Sequence, residues 1–561
     1  MLMFVSSTSS QKREKFMSST NKIYESWKKN KFLPKDFKAD LSRINKKEIN
    51  VFFKAEKMHF GTAGIRGIMG AGTHKMNIFT YQQMAEGYAK YIVKHFPKQQ
   101  SVVIGHDNRM NSDLFSITCA NVLTSFGIKV YLFKENHLTP TPIISFAIRH
   151  LKTSGGIIVT ASHNPKEYNG FKAYNPDGGQ ILPDVANEIE KLMPQSTSIL
   201  NNMYIGNDKL LVEIDDKIID IYFKEAKKAL VKEKIIGFKK PEPIILTTHH
   251  GTASNYLPKF LKQLNFNVYP VKEQCFVNDK FINSPSSNPE YFNSFDLSIK
   301  LAKKLKSKLL IGVDPDADRM AVMIKHNNSW QLITGNQMGI IFTHYLLNNR
   351  KYNHKPFIVS SYVSTYYIDM IAKKFKAYVT RTGTGFKWMG NYVTLHDNKE
   401  SFVVAFEEAI GALCTNINRD KDSFTASALA LEINYFCKQK KMDLIDYLEK
   451  IIFKEYGTWF GKTDSFVIKD LDWKKIVDHK MKYFRNYNKK TIGNYKINKI
   501  VFNKLGDCLE WWLDGKSWVK FRKSGTEPKM KVYYELYGKP LSILNKEYQS
   551  LHNFFANIIE K

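Results

Sequence analysis

The chain has 561 residues, 43% hydrophobic and 24% charged, with a formal net charge of +31. At about 150 residues per domain this length excludes a single core and predicts three or four, and no apolar run approaches the roughly 18 residues of a membrane span. Five cysteines (Cys119, Cys275, Cys414, Cys437, Cys508) without CxxC pairs argue against a disulfide framework or zinc site and for reduced thiols.

A charge of +31 suits a polyanion partner, but the lysines are spread along the chain among abundant Asn, Ile and Phe and form no local patch. Small phosphorylated substrates, and no nucleic acid or membrane, are the expected partners. Met1 to Val5 is too short an apolar run for a signal-peptide core of about 7 to 15 residues, so a cytoplasmic protein is expected. Residues 1–50 are charged, with weak helical periodicity around Ile23 to Trp27, and read as an extension packing on the first domain.

Gly61-Thr-Ala-Gly-Ile-Arg-Gly67 is a loop in which glycines expose amides and Arg66 projects a guanidinium, suited to an oxyanion or serving only as a turn. Strands are predicted at Val102–Ile104 and Val130–Phe133, with a helix between them capped by Ser112 and stopped by Gly127. The helix Ile143–Leu151 leads to a strand at Ile157–Val159, whose carboxyl end delivers Thr160-Ala-Ser-His-Asn-Pro165. Ligands of open α/β sheets bind outside such strand ends. Ser162 beside His163, with Lys172 downstream, is a nucleophile or phosphate carrier, or else part of a Ser/Asn turn capping the next helix.

The pattern recurs twice. Ile244–Leu246 precedes His249-His-Gly-Thr-Ala253, and Leu309–Val313 delivers Asp314-Pro-Asp-Ala-Asp-Arg319. Phe357–Val359 and Ala377–Val379 precede Arg381-Thr-Gly-Thr-Gly-Phe-Lys387, and Phe402–Ala405 delivers Glu407-Glu408. Asp314, Asp316 and Asp318 can converge only around a positive charge, and an all-oxygen set suits Mg²⁺; the alternative is a solvated acidic turn. A charged stretch, Lys462 to Lys499, separates these units from strands around Arg522-Lys-Ser-Gly-Thr526, a phosphate cradle or a hairpin turn.

These motifs, in this order, resemble the active-serine, metal, sugar-binding and phosphate-binding loops of the α-D-phosphohexomutases. Gly61–Gly67 and His250-Gly-Thr-Ala253 look like the branch holding bacterial phosphoglucomutases and relatives acting on phosphopentoses. The resemblance implies three related mixed-sheet α/β domains and a smaller C-terminal α+β domain around a central cleft, expected at 51–205, 206–327, 328–460 and 461–561, the last including a linker. It implies interconversion of hexose 1- and 6-phosphates, glucose and/or mannose, through a phosphorylated Ser162 and a sugar 1,6-bisphosphate intermediate that also serves as activator.

By the same resemblance Ser162, Asp314, Asp316 and Asp318 hold Mg²⁺, while Arg66, Arg319, His163 and Lys172 serve the transfer. Thr384, Gly385 and Glu407 face the sugar, and Arg522, Ser524, Gly525 and Thr526 hold the distal phosphate. The family pattern also implies a monomer or weak dimer. Ala409 replaces the usual serine of the sugar loop, and Lys523 replaces a common proline and adds charge near the phosphate. Alternatives are a phosphopentomutase, a metal-dependent phosphatase using Asp314 as nucleophile, and a non-catalytic binder.

Overall fold

The computed structural model describes residues 19–31, 33–134, 137–201, 204–231, 242–470, 472–524 and 528–560. Four sheets follow one another along the chain. The first has the order β1-β5-β4-β2-β3-β6, for Ile65–Ile68 (β1), Ser101–His106 (β2), Lys129–Phe133 (β3), Gly156–Val159 (β4), Tyr168–Tyr174 (β5) and Leu211–Ile214 (β6). The second is β11-β10-β9-β7-β8, for Ile244–Thr247 (β7), Val268–Pro270 (β8), Leu309–Val313 (β9), Met320–His326 (β10) and Ser329–Ile333 (β11). The third is β13-β12-β14-β15, for Pro356–Ser361 (β12), Tyr378–Thr382 (β13), Ser401–Phe406 (β14) and Ala412–Leu413 (β15).

One parallel core repeats in all three: β4-β2-β3, β9-β7-β8 and β14-β12-β13. In each, the first strand of the unit is central, the second lies to one side and the third to the other. β2, β4, β7 and β9 are buried along their whole length, as expected where helices cover both faces, which is why they read as continuous apolar runs. The serine loop leaves β4, the aspartate loop leaves β9 and the Glu407 loop leaves β14, so three chemically distinct loops occupy one equivalent position. The connecting helices start on polar caps, as where Asn77 and Thr80 close a capping box for Ile78–His95 and Thr334 and Gln337 for Gly335–Asn349.

The last sheet is entirely antiparallel, β16-β21-β20-β19-β18-β17, for Trp459–Val467 (β16), Thr491–Ile492 (β17), Tyr495–Asn503 (β18), Cys508–Leu513 (β19), Trp518–Lys523 (β20) and Lys529–Tyr537 (β21). Two helices, Trp473–Arg485 and Leu541–Ile559, supply Phe484, Leu551 and Phe555 to its core.

Several boundaries differ from the sequence reading. β6 pairs with β3, so the first unit runs past 205 to Ile214, and β11 pairs with β10, so the second runs past 327 to Ile333. The stretch Lys462 to Lys499 is no linker: most of β16, the helix Trp473–Arg485, β17 and much of β18 lie in it. Its strands are only partly buried and interrupt their apolar residues with charged and small polar ones, which hides them from a search for apolar runs. The helix after β2 begins at Ser112, but its cap is Asn111 in the left-handed region, and the Ser112 hydroxyl bonds Asp107 instead. In the described part of the N-terminal extension, residues 19–29, Lys35–Arg43 and Lys46–Phe52 are helical. Trp27 packs edge-on against Phe53 and Phe79, joining them to the first unit.

Candidate active site

Ser162 stands in the turn after β4 with φ +54°, a left-handed conformation that costs a residue with a Cβ and persists only where neighbours enforce it. Its amide donates to Thr160 Oγ1 at 2.8 Å, and its hydroxyl donates to Asp314 Oδ2 at 3.0 Å. His163 Nδ1 lies 3.4 Å from the same hydroxyl. Burial, then the Arg319 and Arg66 guanidiniums, push the His163 imidazole well down, so it is neutral near pH 7. Arg66, on β1, donates to Asn164 Oδ1 at 2.8 Å and keeps a buried Nε without an acceptor. Gly64 makes this approach possible: at φ +85°, an added Cβ would lie 2.4 Å from the Phe171 carbonyl oxygen.

Asp314, Asp316 and Asp318 are all buried, which excludes the solvated acidic turn. One carboxylate oxygen from each lies within 4.8 Å of the others, and the Oδ1 atoms of Asp316 and Asp318 are buried without a hydrogen-bond partner. Burial, then Asp316 and Asp318, push the Asp314 carboxyl well up. Convergent, partly unsatisfied oxygen donors fit a hard divalent cation, with the Ser162 hydroxyl beside them. The loop is braced from below by His249 and the turn after it. Thr252 donates its amide to the Pro315 carbonyl at 2.7 Å, and Gly251 is required because an added Cβ would lie 2.3 Å from Pro315 Cα.

Cations surround this carboxylate cluster. Lys172 Nζ donates to Asp316 Oδ2 at 2.8 Å and Asp318 Oδ2 at 3.3 Å. Burial works to lower its pKa, but Asp316 and Asp318 outweigh this and hold it up, so it is an ammonium. Arg319 reaches Glu290 Oε2 at 3.3 Å and Asp318 Oδ1 at 3.8 Å. Lys421, which the sequence reading missed, puts Nζ 3.0 Å from Asp318 Oδ2 and is likewise held protonated, Asp318, Asp420 and Glu407 outweighing its desolvation. No motif announced it. It arrives on a loop tied to the first unit, where Tyr174 and Gln180 both donate to Asp420 at 2.7 Å.

The sugar-side residues also meet. The Glu407 carboxylate accepts from the Gly385 amide at 3.1 Å, fixing the loop after β13, and Thr384 leaves a buried Oγ1 without a partner. Backbone pairing of Met320 with Ile410 ties the Glu407 loop to the aspartate loop. A cleft of about 300 Å³ is lined by Thr62 of the first unit, Thr384, Lys387 and Trp388 of the third, and Asp507 and Arg522 of the last. Arg522 keeps a buried Nε without an acceptor. Ser524 is described, but Gly525 and Thr526 lie outside the described residues. Lys523 does not add charge to this cleft as expected, because its Nζ pairs with Asp478 at 3.1 Å.

A strained, buried serine and an aspartate cluster thus meet where loops leave the carboxyl ends of related sheets, and Arg522 lines the cleft shared with the last unit. Residues 57–199, 220–328 and 334–454 match the phosphoglucomutase/phosphomannomutase alpha/beta/alpha domains I, II and III. The chain is 44% identical to a phosphomannomutase of Mycoplasmoides pirum over 96% of this chain and 99% of that protein. It is 32% identical to the human phosphopentomutase over 92% and 90% of the respective chains. A phosphoglucomutase/phosphomannomutase family protein from Burkholderia thailandensis shares the fold, with a TM-score of 0.66 at 16% identity, over 89% of this chain and 97% of its own. The chain belongs to the phosphoglucomutase/phosphomannomutase family and is a mutase of the α-D-phosphohexomutase superfamily.

Proposed function

We propose that the protein interconverts hexose 1-phosphates and hexose 6-phosphates, glucose and mannose among them, with Ser162 as phosphoryl carrier and a sugar 1,6-bisphosphate as intermediate and activator. The contact that carries this reading is the 3.0 Å hydrogen bond from the Ser162 hydroxyl to Asp314, which puts a strained nucleophile at the edge of the carboxylate cluster. Asp314, Asp316 and Asp318, with the Ser162 oxygen, would hold Mg²⁺, which neutralises phosphoryl charge and polarises the transferring group when bound. Arg66 and Arg319 stabilise charge on the phosphoryl oxygens, the positioning and electrostatic work that dominates such transfers. In each half-reaction Lys172 and Lys421, both ammonium ions, protonate the leaving oxygen, and neutral His163 accepts the proton of the attacking hydroxyl. Thr384, Gly385 and Glu407 orient the sugar, and Arg522, with Ser524, Gly525 and Thr526, binds the distal phosphate.

Use of Asp314 as a phosphatase nucleophile is disfavoured, since Oδ1 accepts the Asp318 and Arg319 amides and Oδ2 the Ser162 hydroxyl. All five cysteines are free thiols, which fits a reducing cytoplasm. The test is a coupled assay, primed with bisphosphate and Mg²⁺, on the 1-phosphates of glucose, mannose, ribose and deoxyribose. In the family pattern this loop reads hydroxyls on the side of the ring away from C2, where glucose and mannose differ, and Ala409 offers no hydroxyl to extend its reach. Both should turn over, with kcat/KM values within roughly 200-fold, and a preference beyond about 10⁴-fold would contradict this reading of the loop.

A further inference from the structure

We propose that Arg109 is a positioning residue for phosphoryl transfer: it holds the Ser162 loop in its strained conformation by spending all five of its N–H groups on that loop and its foundation. This inference rests on the assignment of Ser162 as the carrier.

Arg109 follows β2, in the turn beside the serine loop, and its ion pair with Asp107 is fully buried at both side chains. Nη2 donates to the carbonyls of Ser162 and Asn164, both at 2.6 Å. Nη1 donates to the carbonyls of Pro165 at 2.7 Å and Tyr168 at 3.0 Å, and Nε to Asp107 Oδ2 at 3.1 Å. A guanidinium has five donors in a fixed planar fork, and here each has an acceptor. The loop curls around this group so that four carbonyl oxygens point at one spot, an arrangement whose dipoles repel unless a cation sits among them. The left-handed φ of Ser162 is one product of that curl.

Asp107 completes the device. Oδ1 accepts the Arg109 amide at 3.0 Å and the Ser112 hydroxyl at 2.8 Å, and Oδ2 accepts the Thr160 hydroxyl at 2.6 Å together with Arg109 Nε. Four donors saturate a carboxylate. Thr160 Oγ1 in turn accepts the Ser162 amide, so the nucleophile's main chain is fixed at its carbonyl by Arg109 and at its amide, through Thr160, by Asp107. All of these contacts run to the serine loop and the turn beneath it, so the device acts on the position of the serine oxygen and not on substrate affinity.

Lysine keeps the charge and the pairing with Asp107, but its three donors cannot reach four carbonyls and a carboxylate. Arg109→Lys and Arg109→Ala are to be compared with wild type in the full-length protein, by steady-state kinetics, melting temperature and intact mass after exposure to glucose 1,6-bisphosphate. A displacement near 1 Å costs about 10²-fold in rate, so kcat should fall about 10²-fold or more in Arg109→Lys with KM within about threefold. The variant's phosphoserine should be lost to water faster relative to its transfer to sugar. If Arg109→Ala does not fold, Arg109→Lys alone decides. Folded Arg109→Lys with kcat within threefold of wild type overturns the proposal, as does a loss of activity that only tracks a lost folded fraction. If wild-type enzyme takes no phosphate on Ser162 at all, the carrier assignment fails, and that outcome is distinguishable because it needs no variant.

Discussion

Replacing Lys172 by methionine tests the electrostatic construction of the site. The ammonium is buried with Asp316 at 2.8 Å and Asp318 at 3.3 Å. Removing one member of a buried ion pair costs about 3 to 5 kcal/mol, because the partner's charge is left desolvated and uncompensated. Asp318 retains Lys421 at 3.0 Å, so mainly Asp316 is orphaned, which places the loss near the low end, about 3 kcal/mol. For units of 150 to 250 residues that is roughly 6 to 12 °C in melting temperature. Because the carboxylates are the proposed seat of Mg²⁺, the cation should restore part of the loss, up to about 2.7 kcal/mol at a concentration one hundred times its Kd. Differential scanning fluorimetry with EDTA or Mg²⁺ measures both effects. Lys217→Met, which breaks an exposed pair with Asp215, serves as control and should shift melting little, since solvent screens such pairs. A Lys172→Met protein melting within about 2 °C of wild type, or losing stability that Mg²⁺ leaves untouched, would refute the reasoning.

Arg522→Ala should raise KM for the sugar phosphate roughly 10- to 150-fold, about 1.5 to 3 kcal/mol, with a smaller effect on kcat, as measured by initial rates. A normal KM would put the distal phosphate elsewhere. Glu535 on β21 is buried where the last unit meets the third, accepting from Thr365 Oγ1 at 3.1 Å and the Tyr366 amide at 3.0 Å, with Tyr537 and Lys520 nearby. Burial, partly offset by these partners, pushes its carboxyl up to about 7. The folded protein therefore holds this proton more tightly than the unfolded chain. The stability it contributes is complete below the unfolded carboxyl pKa of about 4.3 and is lost as pH rises through about 7. Glu535→Gln removes that limb, so the melting-temperature difference between variant and wild type should change between those pH values and then level. A constant offset would contradict the assignment.

The serine, aspartate and glutamate loops were legible because each leaves a buried parallel strand, and such strands announce themselves as apolar runs. Arg66 and Arg522 were legible for a related reason, each lying within a glycine-bearing loop motif. Lys421 and Arg109 were not. Lys421 reaches Asp318 across more than 100 residues and Arg109 reaches the Ser162 loop across 53, and a single cation placed by tertiary contact leaves no local pattern. The misplaced boundaries have a common cause as well. β6 and β11 are short edge strands with half-exposed faces, and β16 and β18 break their apolar residues with charged and polar ones, so composition made them look like connecting chain. Lys523 shows the converse: its place in the motif suggested added charge near the phosphate, whereas its ammonium pairs with Asp478, on a helix whose charged sequence reads as a linker.

The central claim is that Ser162 carries the phosphoryl group. Purified protein incubated with glucose 1,6-bisphosphate and Mg²⁺, then digested and sequenced by mass spectrometry, should carry an acid-stable phosphate on Ser162 that is lost on adding excess hexose monophosphate. Ser162→Ala should take no phosphate and show no mutase turnover. Phosphate found on Asp314 as a base-labile acyl phosphate, or more than a few per cent of wild-type turnover in Ser162→Ala with bisphosphate present, would contradict the account.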